Sequence, residues 1–321
     1  MKNALVYLVI SAASYPFLAI YNSCAALFRS MGNSKISMQV SVVMNGINIF
    51  GDAVFIFGFH MGVAGAAFAS LISRMIACVI LMVRLFDPKL EITLKGTKFG
   101  WNQRIVGRIL QIGIPSGVEN SIFQLGRVIG VGFITMFGTT QIAANAVANN
   151  LDALGILPAQ AMNLALITVI GQCVGAGDYK QAEYYAKKLM KLTYLINGVC
   201  CMTVIATMPL TLKLYGLSAE TLVLAATLVL IHNGFAVLLW PASFTLTSVL
   251  RAANDVKYPM CISMLSMILV RLGFGYMLCV GQGWGALGVW AATILDWTVR
   301  VICFVRRYRS GKWKQYYRAD A

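Results

Sequence analysis

Long apolar stretches, broken by short polar and basic segments, set the pattern of this chain. A helix needs about 20 apolar residues to cross roughly 30 Å of hydrocarbon. Nine stretches of that kind can be marked, at about 6–28, 36–58, 62–84, 107–137, 140–173, 190–212, 220–250, 257–281 and 285–305. The pattern predicts an all-α polytopic membrane protein with nine transmembrane helices.

The charges orient it. Twenty of the 26 Lys and Arg fall in the segments 29–35, 84–108, 175–191, 251–257 and 306–321, and two, Lys2 and Lys213, fall in segments of the opposite parity. Basic loops stay cytoplasmic, so the protein is expected in the cell (inner) membrane with its carboxyl terminus in the cytoplasm. The other four, Arg74, Arg127, Arg271 and Arg300, lie within spans. Nine spans with that end inside place the amino terminus outside.

Composition agrees. Only 12% of the 321 residues are charged and 59% are apolar, with a mean hydropathy of +0.75, far from the soluble average of about 25% charged. The formal charge of +15 is spread over loops of one face, so it does not argue for nucleic acid. The eight cysteines lie in or at the ends of apolar segments without CxxC or Cys/His spacing, which reads as packing and not as a metal site.

The chain also repeats itself. At an offset of 222, Leu27–Ser41 pairs with Val249–Ser263, matching Arg29/Arg251, Lys35/Lys257, Met38/Met260 and Ser41/Ser263. One residue later in offset, GVAGAAFAS from Gly62 pairs with GALGVWAAT from Gly285. Internal repeats are a construction principle of secondary transporters. The second repeat, 107–305, holds six spans and the first holds three, which places the expected start of the first about 115 residues before Met1. The expected organisation is 1–85 as the second half of a first lobe, 86–106 as a cytoplasmic linker, 107–305 as a complete six-helix second lobe and 306–321 as a basic tail.

Several motifs then combine: the repeated Arg-x-x-Gly/Asn-Asn/Asp-x-Lys turn, GIPS (Gly113–Ser116), IAANAVANN (Ile142–Asn150), and GQCVGAGD followed by a basic amphipathic stretch (Gly171–Lys191). Together they resemble the multidrug and toxic compound extrusion (MATE) transporters over nearly the whole chain, in an N-terminally truncated form. The resemblance implies two six-helix lobes around a cavity, and export of amphipathic organic cations in exchange for H⁺ or Na⁺, with no other cofactor. It also implies a coupling Asp on a first helix upstream of Met1 and a Glu on the family's seventh helix, matched by Glu119. The tenth helix carries no interior carboxylate, Glu220 being at its mouth, which favours protons. Two alternatives stand: a flippase for lipid-linked oligosaccharides of the same superfamily, which needs a more cationic cavity, and a non-transporting fragment. No nucleophile, base and orienter set points to an enzyme.

Charged residues at a span's centre cost about 2.5–3.5 kcal/mol each and so face the bundle interior. Depth at 1.5 Å per residue sets Arg127 roughly 15 Å and Asp152 roughly 18 Å below the turn at Gly138. The same arithmetic around Gly283 matches Arg271 with Asp296, Arg300 lying one turn below. Two interhelical ion pairs are expected, Arg127 with Asp152 and Arg271 with Asp296, either structural or functional. Glu119 lies about 12 Å along the axis from Arg127 and is expected to be unpartnered, able to take a proton on one side and lose it on the other. Glu119 and Asp152 are thus the coupling candidates. Ser116, Asn120, Gln124 and Arg127 form a polar stripe, as do Asn145, Asn149, Asp152 and Asn163. The stripes line a wet cavity or hold helices together. Trp240 either stacks on an organic cation or packs in the interior. His232 is too isolated to argue a metal.

Overall fold

The computed structural model describes residues 2–96 and 100–315, and every regular element among them is helical. Residues 97–99 of the expected linker and 316–321 of the expected basic tail lie outside the described residues. Contacts divide the chain into two units, Met1–Trp101 and Asn102–Ala321.

The first unit is a three-helix bundle. Helix α1 (Lys2–Ser30) leads to α2 (Ser34–Ala53), which ends in a wider π turn (Val54–Gly58), and α3 (Gly62–Leu85) returns. Its core joins Tyr21, Ala25 and Phe28 of α1 to Val40 of α2 and to Ala77, Leu81 and Leu85 of α3. Small residues there let the backbones approach closely enough for the Ser37 hydroxyl to donate to the Ala25 carbonyl at 3.1 Å. Outward, Phe50 and Phe57 are 73% and 76% exposed, a face that suits lipid and not water.

The second unit comprises α4 (Gln103–Thr135), α5 (Thr139–Gly175), α6 (Tyr179–Leu214) and α7 (Ala219–Trp240), which runs through a π turn (Pro241–Thr245) into α8 (Leu246–Ala252). After a turn come α9 (Lys257–Leu265), prolonged by π segments Ser266–Phe274 and Met277–Gly281, and α10 (Ala286–Arg309). Between α5 and α6 the chain reverses at Gly177, whose φ of 74° needs glycine. Asp178 then caps α6, its Oδ1 accepting from the Gln181 amide at 2.9 Å. At the basic end, Trp313 is 1% exposed beside Tyr179 and Tyr308, and Arg307 meets Asp255 at 2.8 Å.

Eight helices among the described residues are long and apolar enough to cross a membrane. The stretch at 107–137 exists as α4, but is not one of the eight. The reason is its own composition: Arg104, Arg108, Gln111, Glu119, Asn120, Gln124 and Arg127 all lie on it.

The internal repeat carries over into backbone geometry. Gly32 and Asn254, 222 residues apart, both have left-handed φ, 77° and 64°; Gly62 and Gly285, 223 apart, have 55° and 57°. The π turn Val54–Gly58 recurs as Met277–Gly281. One turn into the next helix, Gly65 and Gly288 serve the same purpose: a Cβ would lie 2.9 Å from Phe55 Cβ in the first case and 2.5 Å from the Cys279 amide nitrogen in the second.

Candidate functional site

Within the second unit, α4, α5, α7, the π segment after α9, and α10 surround a cavity of about 90 Å³. Its polar lining is Arg127, Asn145, Asn149, His232, Arg271 and Thr293, and Trp290 forms an aromatic wall. Gly126 and Gly130 supply the α4 side without side chains; Gly126 backs directly onto Met267.

Behind His232 lies a buried acid. Asp152, 4% exposed, has its Oδ2 3.1 Å from His232 Nδ1, and its Oδ1 accepts from the Asn233 side-chain amide. Both atoms are buried and neither accepts or donates a hydrogen bond, so they face each other at ion-pair distance alone. The imidazole is held edge-on between Trp290 and Trp297, ring centres 4.9 and 4.8 Å away. So the pair is closed, with His232 on the cavity wall and the carboxylate behind it. Above, Asn145 Oδ1 accepts from Trp290 Nε1 at 2.9 Å, and the Asn149 amide donates to the Asn145 carbonyl at 2.7 Å. A second buried network sits on α10: Arg300 Nε donates to Asp296 Oδ1 at 2.9 Å, Arg300 Nη2 to the Ser263 carbonyl at 3.1 Å, and the Ser266 hydroxyl to Asp296 Oδ1.

The expected ion pairs are therefore corrected. Asp152 pairs with His232 and Asn233, not with Arg127, because equal depth says nothing about the face a side chain occupies. Asp152 points to α7, while Arg127 stands beside Gly126, which contacts Met267 of the π segment. Asp296 is taken by Arg300, four residues on along the same helix, and not by Arg271. Arg271 lies in a π segment, where the i→i+5 turn breaks the 100° per residue assumed for an α-helix. Its guanidinium rests over the Phe123 ring, 5.3 Å from the centroid.

Glu119 is not unpartnered either. Its Oε2 accepts from Arg251 Nη2 at 2.6 Å, linking α4 to α8 across 132 residues. Depth arithmetic on adjoining hairpins could not see that partner. Trp240 is 4% exposed and stacks on Phe244 at 5.1 Å, so it packs the interior and offers no ligand face. Asn120 donates to the Ser116 carbonyl within its own helix at 2.9 Å, and neither it nor Gln124 lines the cavity. Of the predicted cavity residues, Arg127, Asn145 and Asn149 reach it; the residues missed were His232 and Trp290. His232 was invisible because its partner lies 80 residues away, although a His within an apolar run is itself a signal.

An all-helical, multi-pass membrane protein with an internal repeat and a polar cavity in one unit defines a class, the membrane transporters built on repeats. Comparison with known proteins names the family: the MatE model matches residues 115–277, just over half of the chain, and the chain belongs to that family. Its members are transporters and not enzymes. An uncharacterized transporter of Bacillus subtilis, YisQ, is 29% identical across 98% of this chain and 70% of its own length. The probable multidrug resistance protein NorM of Thermotoga maritima is 24% identical across 98% of this chain and 68% of its own. The outward-facing structure of a multidrug resistance MATE family transporter matches with a TM-score of 0.86 at 22% identity, over 97% of this chain and 70% of that one.

Proposed function

We propose that this protein is a secondary active exporter of small amphipathic organic compounds, exchanging each outgoing molecule for an incoming proton. The observation that supports it is the Asp152–His232 pair. His232 borders the cavity and Asp152 stands behind it with one oxygen partnered by the imidazole alone, so a proton arriving in the cavity has a two-step route to a buried carboxylate. Around the pair stand Asn233 of α7, Cys201 of α6, and Trp290 and Trp297 of α10, and among the described residues no second carboxylate is paired with His232. A His and a carboxylate able to trade a proton are the usual components of such relays.

Glu119 acts in this reading through its ion pair, fastening α4 to α8 near the basic end, and not as a free proton carrier. Of the two expected coupling acids, Glu119 and Asp152, this reading keeps Asp152 and adds His232. The basic loops and tail face the cytoplasm across the cell membrane.

The test is transport in proteoliposomes carrying an imposed pH or Na⁺ gradient. Asp152→Asn should lower pH-driven efflux by ~100-fold or more while leaving insertion and substrate binding intact, and His232→Gln should lower it as much while leaving insertion intact, whereas Glu119→Gln should lower transport in proportion to lost stability. Efflux by Asp152→Asn that still follows the pH gradient ends the proton role; efflux that follows only Na⁺ in the unaltered protein replaces H⁺ by Na⁺ at this site.

A further inference from the structure

The cavity of the second unit has a charge that no carboxylate on its own wall balances, although Asp296 acts on Arg271 from outside the lining. Two guanidinium groups line it, Arg127 from α4 and Arg271 from the π segment after α9, and no acidic side chain does. The two acids nearest in sequence logic are both engaged elsewhere: Asp152 by His232 and Asn233, Asp296 by Arg300 and Ser266. Among the described residues, neither Arg127 nor Arg271 enters an ion pair. The contact of Arg271 with the Phe123 ring positions the guanidinium but does not neutralise it. Arg271 is partly buried and Arg127 is exposed; a charge in a membrane-spanning bundle with no ion-pair partner is costly and marks a functional site by default.

We infer that Arg127 and Arg271 form the head-group subsite for an oxyanion, the carboxylate or phosphate end of an amphipathic solute whose apolar part extends out of the cavity. Guanidinium forks match carboxylate and phosphate geometry. Size agrees: about 90 Å³ is well below the ~300–1,000 Å³ that encloses a whole drug-sized molecule, so the space takes an anionic head and leaves the body outside. A quaternary ammonium would meet two like charges there. The inference rests on the transporter reading only in taking the cavity's ligand to be a transported solute, and the organic cations expected from the family resemblance do not fit this subsite.

Equilibrium binding tests it without any ion gradient, so loss of coupling and loss of anion recognition register separately. The full chain in nanodiscs is titrated, by quenching of its tryptophan fluorescence, with 1-naphthoate, with the shape-matched cation 1-naphthyl-trimethylammonium, and with farnesyl pyrophosphate. At least one of the two oxyanions should bind ~10-fold or more tightly than the cation. Arg127→Gln and Arg271→Gln should each weaken it ~10-fold or more, as removal of one charge-assisted partner does, with Arg271→Lys retaining part of the affinity. Naphthoate binding assigns an aromatic carboxylate as the solute; binding of farnesyl pyrophosphate alone assigns a lipid pyrophosphate. Should Arg271→Gln fail to fold, Arg127→Gln and Arg271→Lys carry the same comparison. Tighter binding of the ammonium compound, or oxyanion binding unchanged in the arginine variants, overturns the subsite.

Discussion

The hairpin α2–α3 and its repeat, α9–α10 with the π segments between them, share turns but not interiors. Both have a left-handed residue before the first helix, a π turn at its end, a left-handed glycine opening the second helix and a close-packed glycine one turn later. Yet Ser73 stands where the second copy has Asp296, Ala77 where it has Arg300, and Arg74 where it has Trp297. In the first copy Arg74 hydrogen-bonds Ser14 of α1; in the second, an Asp296–Arg300–Ser266 network fills the same level and nine further residues adopt the π form. Backbone reversals tolerate few solutions, so duplication preserves them. Interior polar residues are free to diverge once each copy meets different neighbours, and the charged cavity belongs to the second copy.

The sharpest test of that contrast is Asp296→Ala. It leaves Arg300, 2% exposed, with the Ser263 carbonyl and the Phe123 and Phe244 rings but no counter-ion among the described residues, and breaking a buried pair by removing one partner costs about 3–5 kcal/mol. The counterpart Ser73→Ala loses one bond to the Ser70 carbonyl of its own helix and should cost less than about 1 kcal/mol. Apparent unfolding midpoints in detergent compare them; equal shifts would mean that the network is dispensable.

Next come the paired glycines. Gly288→Ala puts a methyl group onto backbone atoms of Leu278 and Cys279, while Gly65→Ala meets first the Phe55 side chain. Both should destabilise by about 1–3 kcal/mol, Gly288→Ala more, since a backbone cannot step aside. The reverse order, read from the same midpoints, would show that the second hairpin is the more yielding. Smallest is the left-handed pair: Asn254→Ala should cost about 1 kcal/mol and Asn254→Gly little or nothing, because asparagine's short polar side chain tolerates that region better than a methyl group does and glycine has no Cβ to meet the carbonyl. Should alanine be tolerated there as well as glycine, the turn geometry is not the shared constraint.

Some of the site could be read early and some could not. Asn145 and Asn149 were legible as a stripe because i, i+4 spacing on one helix fixes a common face. The capping of α6 by Asp178 was legible because it involves neighbours only. Asp152, Glu119 and Asp296 were recognised as buried acids, yet all three partners came out differently. Arg300 was the nearest miss: it lies one helical turn from Asp296, and a local pair outcompetes a distant one of equal depth.

Hydropathy, the distribution of Lys and Arg and the internal repeat thus determined from sequence alone that the chain is a multi-pass helical membrane protein of repeated design. Those signals are local or additive, and survive without knowing which helix touches which. The pairing of Asp152 with His232, of Glu119 with Arg251 and the freedom of Arg127 and Arg271 were decided by tertiary structure. They depend on the rotation of each helix about its axis and on π turns that shift that rotation, quantities that no spacing within one helix contains.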